Sequence, residues 1–354
     1  MISEKHTRKS TTIYDIANRL NVSHTTIRRA LLGLPGVSEE TKQRVQELAA
    51  KMKYRPNIFA KGLKSQKANF IGLIITKSIN ESWYANIVDA IVDNLKQQGY
   101  SVLLSLSRLD NPEEEKQCID ELMGGHVGGI IVGPLVRSND MAPYTDAMLW
   151  GPPMVVFGCI EPMPVNYVAI NHVSGMKDVV DYLLQLGHKR IGYVCCPNEF
   201  LTPNTRRFGL QQALFENGLQ LDERDVIIGR PTFEDGYGAM SEYLAQNGGN
   251  LPTAMFCHCD DVALGAMKAL YERGISVPQD ISLIGHDDIR SAKYSTPGLT
   301  TVGGIIKPMA ENIVNLLMNT ISDGKSTPQK VFIRPELIKR DSVGVARSDS
   351  ILKY

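Results

Sequence analysis

Residues 12–29 read Thr12-Ile13-Tyr14-Asp15-Ile16-Ala17-Asn18-Arg19-Leu20-Asn21-Val22-Ser23-His24-Thr25-Thr26-Ile27-Arg28-Arg29, and this stretch decides the fold of the amino-terminal part of the chain. Thr12 suits a helix N-cap, with Asp15 three residues on to reach back to it. Ile13, Ile16, Ala17 and Leu20 recur at helical spacing, and the helix should stop near Asn21-Val22. Ser23 is a second N-cap, opening a helix to about Leu32 with Ile27, Ala30 and Leu31 on its inner side. Gly33 and Pro35-Gly36 break that helix. Ser38 caps a third, carried by Val45, Leu48, Ala49 and Met52. Two short helices joined by a tight turn, with a third to cover their core, make a helix-turn-helix unit. The second helix presents His24, Thr25, Thr26, Arg28 and Arg29, and a helix of this kind fits the major groove of double-stranded DNA. Arg29 suits a bidentate grip on guanine, and Arg28 suits phosphate. A solvated basic face on an ordinary helical bundle fits the same residues.

Charge supports the first reading. The 354 residues carry 38 Lys and Arg against 38 Asp and Glu, a formal net charge of zero. Residues 1–69 hold 14 of the basic and 5 of the acidic side chains, so a basic head precedes an acidic body. That asymmetry points to a polyanion partner at one end. After the head, Tyr54-Arg55-Pro56-Asn57-Ile58-Phe59-Ala60-Lys61-Gly62-Leu63-Lys64 is a short amphipathic stretch. Pro56 suits a first helical position, while Gly62 disfavours the helix by roughly 1 kcal/mol relative to Ala. Such a segment is a helix only when something holds it, or a linker resting on a neighbouring domain.

The rest of the chain has room for a sizeable core, at 43% apolar and 21% charged residues. No run of about 18 apolar residues marks a membrane span, and the start of the chain has no apolar signal segment. Six cysteines in this length are too few for a disulfide framework. Together these features lead to an expectation of a cytoplasmic protein with no membrane partner. From Asn69 onward, short apolar runs alternate with helical patterns. Strands are expected at 70–76, 102–106, 129–133 and 154–157, then at 191–195, 226–229, 254–257 and 281–285. Helices are expected at 84–98, 112–123, 175–186, 206–217, 236–246 and 261–273. Continuous apolar strands separated by helices imply parallel sheets covered on both faces. The two series suit two α/β lobes, one after the other, closing on a small ligand beyond the carboxyl ends of their strands. Trp83, Tyr84, Arg206, Phe208, Phe233, Cys259, Asp260, Asp287 and Asp288 all fall just after expected strands. Aromatic faces with Arg and Asp match the stacking faces and hydroxyls of a sugar.

Several motifs stand in one order: Thr12-Ile13-Tyr14-Asp15-Ile16-Ala17, Val22-Ser23-His24-Thr25-Thr26-Ile27, Val37-Ser38-Glu39-Glu40-Thr41, Tyr54-Arg55-Pro56-Asn57 and Ala60-Lys61-Gly62-Leu63-Lys64. In this the chain resembles the LacI/GalR family of bacterial transcription regulators, to about Arg347. The resemblance implies a helix-turn-helix headpiece over 1–56, a hinge helix over 57–66, a periplasmic-binding-protein-like effector and dimerisation domain over 67–347, and a tail over 348–354. It implies a homodimer on a roughly palindromic operator, with Leu63 wedging between base steps. The DNA-contacting set it implies is Thr12, Tyr14, Ser23, His24, Thr25, Thr26, Arg28, Arg29, Asn57, Ala60, Leu63 and Lys64. Arg28 departs from the family, which often has Ser there.

The same resemblance implies an effector set of Trp83, Tyr84, Arg206, Phe233, Cys259 and Asp287. Arg206-Arg207-Phe208-Gly209 resembles the family's effector arginine motif, and Ser282–Asp288 the segment carrying its effector aspartate. Gly187–Gly192 resembles the family's connection into the second lobe. Cys259, Gly158-Cys159 and Asn171-His172 depart from residues frequent in the family. A sugar or sugar derivative is the expected effector, with a purine or nucleoside the alternative.

Cys257-His258-Cys259 lacks a matching second Cys/His pair, so no metal is expected. His188 suits a structural histidine hydrogen-bonded at a loop. Asp287-Asp288 has no nucleophile or assigned base, and no phosphate-binding glycine loop or nucleophile elbow occurs. No catalytic residue, no enzyme activity and no cofactor are therefore expected. A solute-binding protein of the same clamshell form would need export.

Overall fold

The computed structural model describes residues 11–31, 33–54, 69–75, 82–108, 111–125, 127–133, 142–158, 165–195, 201–247, 250–324 and 327–348. They belong to two compact units, Met1–Ala68 and Asn69–Tyr354.

The first unit holds three helices, α1 (Ile13–Leu20), α2 (His24–Leu31) and α3 (Glu39–Lys51). Thr12 closes a full capping box on α1, its hydroxyl accepting from the Asp15 N–H while Asp15 takes the Thr12 N–H at 2.7 Å. Asn21 ends α1 in the left-handed region at φ 51°, a backbone state that Asn tolerates better than most residues. That bend starts α2 within three residues. Ser23 Oγ accepts from Thr26 N–H at 3.0 Å, and Ser38 Oγ from Thr41 N–H at 3.3 Å, so each later helix has its own cap. Ile16, Ala17, Ile27, Ala30, Val45 and Ala49 form the buried centre, ringed by Ile13, Leu20, Val22, Leu31, Val37, Leu48, Met52 and Tyr54.

The second unit is two α/β lobes. The first-lobe sheet takes β1 (Phe70–Ile75), β2 (Ser101–Leu106), β3 (Gly129–Gly133), β4 (Met154–Phe157), β5 (Asn166–Ile170) and β11 (Lys330–Ile333), in the order β11-β5-β4-β3-β1-β2. The second-lobe sheet takes β6 (Ile191–Cys195), β7 (Val226–Ile228), β8 (Ala254–Cys257), β9 (Ser282–His286), β10 (Thr300–Gly303) and β12 (Glu336–Ile338), in the order β12-β10-β9-β8-β6-β7. Every pairing is parallel except β10 with β12. The inner strands are buried along almost their whole length, as a sheet covered on both faces requires, while edge strand β2 leaves Leu104 and Leu106 exposed.

On the first lobe, α4 (Ser82–Gln97) and α12 (Ile306–Asp323) pack on one face, with α5 (Pro112–Gly124) and α6 (Ala142–Trp150) on the other. On the second, α7 (His172–Gln185) and α8 (Leu201–Glu216) cover one face. The opposite face carries α9 (Phe233–Asn247), α10 (Asp260–Glu272) and α11 (Arg290–Tyr294).

The lobes are interleaved rather than consecutive, which corrects the reading of two successive series. The chain passes between lobes after β5, after β10 and between β11 and β12. The first-lobe core needs Ile313, Val314 and Leu317 from α12, and β11 completes its sheet. The segment Gly187–Gly192 joins α7 to β6 inside the second lobe and is not a crossing. His188 there is buried, with Nδ1 on Thr253 Oγ1 and Nε2 on the Gly344 carbonyl, each at 2.9 Å.

Candidate functional site

On the head, the residues expected to meet DNA divide by exposure. Thr12, Tyr14, Ser23, His24, Thr25 and Arg29 are exposed, while Thr26 and Arg28 are half-buried. Tyr14 and His24 lie with ring centroids 5.4 Å apart, so α1 and the start of α2 present one surface. Arg29 turns its Nε onto the Pro35 carbonyl at 3.0 Å, and Gly36 is so close that a Cβ there would sit 3.2 Å from Arg29 Nη2. The guanidinium is therefore partly spent on holding the loop after α2. Asn57, Ala60, Leu63 and Lys64 lie outside the described residues.

In the body, the second-lobe strand order changes direction between β6 and β8, the place where open α/β sheets leave a crevice at their carboxyl ends. Arg206, on α8 after β6, is 7% exposed. Its Nη1 donates to the His258 carbonyl, just past β8. Its Nη2 stands 3.5 Å from Asp287 Oδ1 and its Nε 3.5 Å from His172 Nδ1. His286 Nδ1 contacts the same Asp287 oxygen at 2.8 Å. The rings of His172 and His286 are 5.2 Å apart, which closes a circuit of four side chains from α7, α8 and the end of β9. Burial, then the Arg206 charge, push the His172 imidazole well below its ordinary range, with His286 a further contribution. Burial and Arg206 do the same to His286. Both rings are neutral at physiological pH, so Arg206 and Asp287 carry the formal charges within the circuit.

Asp287 and Asp288 both have positive φ, 110° and 52°, strain held in place by their partners. Arg340 binds Asp288 at 2.5 Å and the Leu299 carbonyl at 2.7 Å. Asp260 is fully buried, taking Thr301 Oγ1–H at 2.6 Å and Ile289 N–H at 2.9 Å, so it ties the start of α10 to β10 and α11. A Cβ on Gly285 would lie 2.1 Å from Asp260 Oδ1, so only glycine fits there. Asp260 and Asp288 are thus structural partners of the strand ends.

The expected effector residues do not all meet. Arg206 and Asp287 come together. Cys259 is buried at the N-cap of α10, its Sγ 3.6 Å from His258 Nε2. Tyr84 is 8% exposed and belongs to the first-lobe core. Trp83 is half-buried and edge-on to Tyr84 at 4.9 Å, and its Nε1 is buried with no hydrogen-bond partner among the described residues. Phe233 begins α9 and is 42% exposed. Missed from sequence were His172 and His286. The strand-end rule reaches His286 once β9 is seen to run one residue past Gly285, and His172 opens α7 directly after β5. Among the described residues no three His, Cys, Asp or Glu side chains gather as a metal site, and no helix is long and apolar enough to cross a membrane.

Burial also depresses His188, outweighing its bond to the Gly344 carbonyl. An unfolded chain protonates these histidines near pH 6.5, whereas the folded one resists, so the unfolded state binds more protons as pH falls below that value. Stability is therefore full above pH 6.5 and declines below it, by up to about 1.4 kcal/mol per pH unit for each such proton. Replacing His188 with Gln should flatten the decline between pH 6.5 and 5.0 by up to one proton, measured by urea unfolding at several pH values. An unchanged slope would overturn the assignment of His188 as a buried neutral group.

A helix-turn-helix head, and a separate two-lobed body whose strand ends hold a buried Arg–Asp pair, define a DNA-binding regulator with a small-molecule domain. A family model for bacterial regulatory proteins of the lacI family matches residues 12–57, and one for a periplasmic binding protein-like domain matches residues 180–343. The HTH-type transcriptional repressor PurR of Escherichia coli O1:K1 is 32% identical over 340 residues, 94% of this chain and 96% of that protein. Its namesake in Escherichia fergusonii matches at the same 32%. The lac repressor dimer bound to operator and the anti-inducer ONPF superposes with a TM-score of 0.83 at 28% identity, covering 95% of this chain and 100% of that one. The transcriptional regulator CelR–cellobiose complex gives 0.70 at 26% identity, covering 94% and 99%. The chain belongs to the lacI family of bacterial regulatory proteins, and its relatives are repressors rather than enzymes.

Proposed function

We propose that this regulator is a dimeric cytoplasmic repressor without catalytic activity, whose operator affinity is set by a sugar or sugar derivative bound between the lobes of residues 67–347. The observation that carries the reading is the Arg206–Asp287 pair, nearly buried and charge-balanced at the strand ends of a body that is a separate unit from a basic head. A solved relative holding cellobiose supports a sugar. In this reading the headpiece, residues 1–56, contacts DNA through Thr12, Tyr14, Ser23, His24, Thr25, Thr26, Arg28 and Arg29. His24 and Thr25 read base edges, Arg28 meets phosphate, and Arg29 divides its donors between Pro35 and the duplex. The segment 57–66, with Asn57, Ala60, Leu63 and Lys64, couples the two units. Trp83 and Phe233 supply apolar ring faces and Arg206 and Asp287 the polar grip, with Tyr84 and Cys259 supporting them from behind. The effector acts through its different affinity for the operator-competent and operator-incompetent states.

Gel-shift titration of genomic fragments at several salt concentrations tests this, with sugars and purines added in turn. Selective shifts whose log affinity falls steeply with log salt, and which a sugar changes, are the expected result. Change by a purine alone moves the effector to the alternative class. No selective shift of any fragment overturns the repressor reading.

A further inference from the structure

We propose that His286 reads the effector through a bare Nε2 acceptor, so that the effector presents a hydroxyl or amine N–H there and is an uncharged polyol rather than a phosphorylated or carboxylated sugar. The inference rests on the effector reading above and adds the chemical class. His286 is 0% exposed, yet its Nε2 has no hydrogen-bond partner among the described residues. Buried polar atoms are nearly always satisfied, so an orphan beside a candidate ligand site calls for a partner from outside the chain.

The tautomer follows from the neighbour. Asp287 Oδ1, 2.8 Å from Nδ1, is a carboxylate oxygen beside Arg206 and accepts, so Nδ1 carries the proton and Nε2 is a lone pair. A second proton is opposed by burial and by Arg206. Among the described residues, the other charged and titratable groups facing the ring are His172 on α7, Arg206 on α8 and Asp287 itself, and His172 is also held neutral. Strand alternation places His286 with Ile284 on the sheet face covered by α7 and α8, the face from which Arg206 also comes.

Arg206 adds the complementary half. Charge-assisted N–H···O bonds run at about 2.7–2.9 Å, but two of its contacts are at 3.5 Å, leaving its donors slack. One ligand hydroxyl can accept from Arg206 and donate to His286 Nε2. A phosphate or carboxylate can accept from Arg206 but brings no proton for Nε2, and it meets the Asp287 charge. Arg206 already has that charge to balance it, so the circuit has no surplus positive charge for an anion.

Two measurements on the full-length protein decide this. In the first, histidine is ¹⁵N-labelled and His286 assigned through His286→Gln. The expected spectrum shows an unprotonated Nε2 across pH 6–8, and a protonated Nε2 overturns the proposal whatever ligand binds. In the second, thermal shift is recorded with ribose, glucose and galactose beside ribose 5-phosphate, glucose 6-phosphate and galactose 1-phosphate. Stabilisation by a neutral member, weakened at least tenfold in apparent affinity by His286→Phe and partly kept by His286→Gln, supports it. Stabilisation by phosphorylated members alone overturns it while leaving the effector reading intact. If no member binds, the spectrum decides, and loss of selective operator binding would strike the parent reading instead.

Discussion

Ile27→Ala should markedly weaken selective operator binding while leaving the thermal transition of the body in place. Ile27 is fully buried on the inner side of α2, in a centre of six buried side chains among the described residues. Truncating a buried Ile to Ala costs about 2–5 kcal/mol, because the lost contacts leave a cavity. A domain of this size holds only about 3–5 kcal/mol of margin, so the loss takes most or all of it and a large share of heads unfold. Apparent operator affinity then falls with the folded fraction, by as much as about 30-fold. The described residues of that centre all lie in the head, and the body forms a separate compact unit, so its calorimetric transition should stay within about a degree of the parent's. Thr25→Ala, on the exposed side of the same helix, supplies the contrast, with a folded head and a weaker, less selective shift. A body transition that falls in step with Ile27→Ala would show one cooperative molecule instead of two, and operator binding kept within threefold would remove Ile27 from the structural role given to it.

The head was legible in sequence because its signals are local. Thr12, Asp15, Ser23 and Ser38 announce helix starts through bonds three residues long, and those bonds form. The apolar spacing of Ile16, Ala17, Ile27 and Ala30 likewise records a core made by neighbours in sequence. The eight strands found from apolar runs are mostly the inner ones, whose burial on both faces makes the runs continuous. What escaped has weak local signals or distant partners. β11 and β12 are short, with exposed residues that dilute the pattern, and each belongs to a lobe only through pairing with strands far back in the chain. The interleaving could not be read from two tidy series, since α12 looks like any amphipathic helix until it meets β3, β4 and β5.

The site shows the same division. Arg206 and Asp287 were found from strand ends and a family motif, whereas the side chains that set their chemistry were not. Asp260 looked like a ligand residue and is a buried strut to Thr301 and Ile289. Asp288 looked like half of a carboxylate pair, and Arg340, 52 residues on, takes it. Asn171-His172, a departure from the family's frequent pair, divides its work. Asn171 Oδ1 caps α7 through the Ser174 N–H at 3.1 Å, while His172 turns to Arg206. None of these pairings has a sequence periodicity, because each is made by the sheet bringing separate strand ends to one crevice.

Replacing Arg206 with Ala should therefore cost twice, once in the body's stability and once in effector response, and leave operator binding by the head unimpaired. Stability falls because the His258 carbonyl loses its donor and Asp287, with a side chain 12% exposed, loses its counter-charge. Removing one partner of a buried ion pair costs about 3–5 kcal/mol, and the long 3.5 Å contact puts this pair at the low end. Effector affinity falls because the guanidinium is the one formal positive charge in the circuit, and loss of a hydrogen bond from a charged donor to a buried ligand corresponds to about 10- to 10²-fold. Asp287→Asn should also lose the response, through His286, whose Nδ1 proton then faces an amide instead of a carboxylate. The double variant Arg206→Met with Asp287→Asn separates the two costs. With no charge left unpaired, its unfolding midpoint should recover part of the loss seen in Arg206→Ala, a coupling of about 1–3 kcal/mol, while the effector response stays absent. Urea unfolding and gel shift on the four proteins supply both readings. If the single and double variants lose equal stability, the pair contributes nothing to the fold. If Arg206→Ala responds to the same sugar at the same concentration as the parent, the strand-end circuit is not where the effector is held.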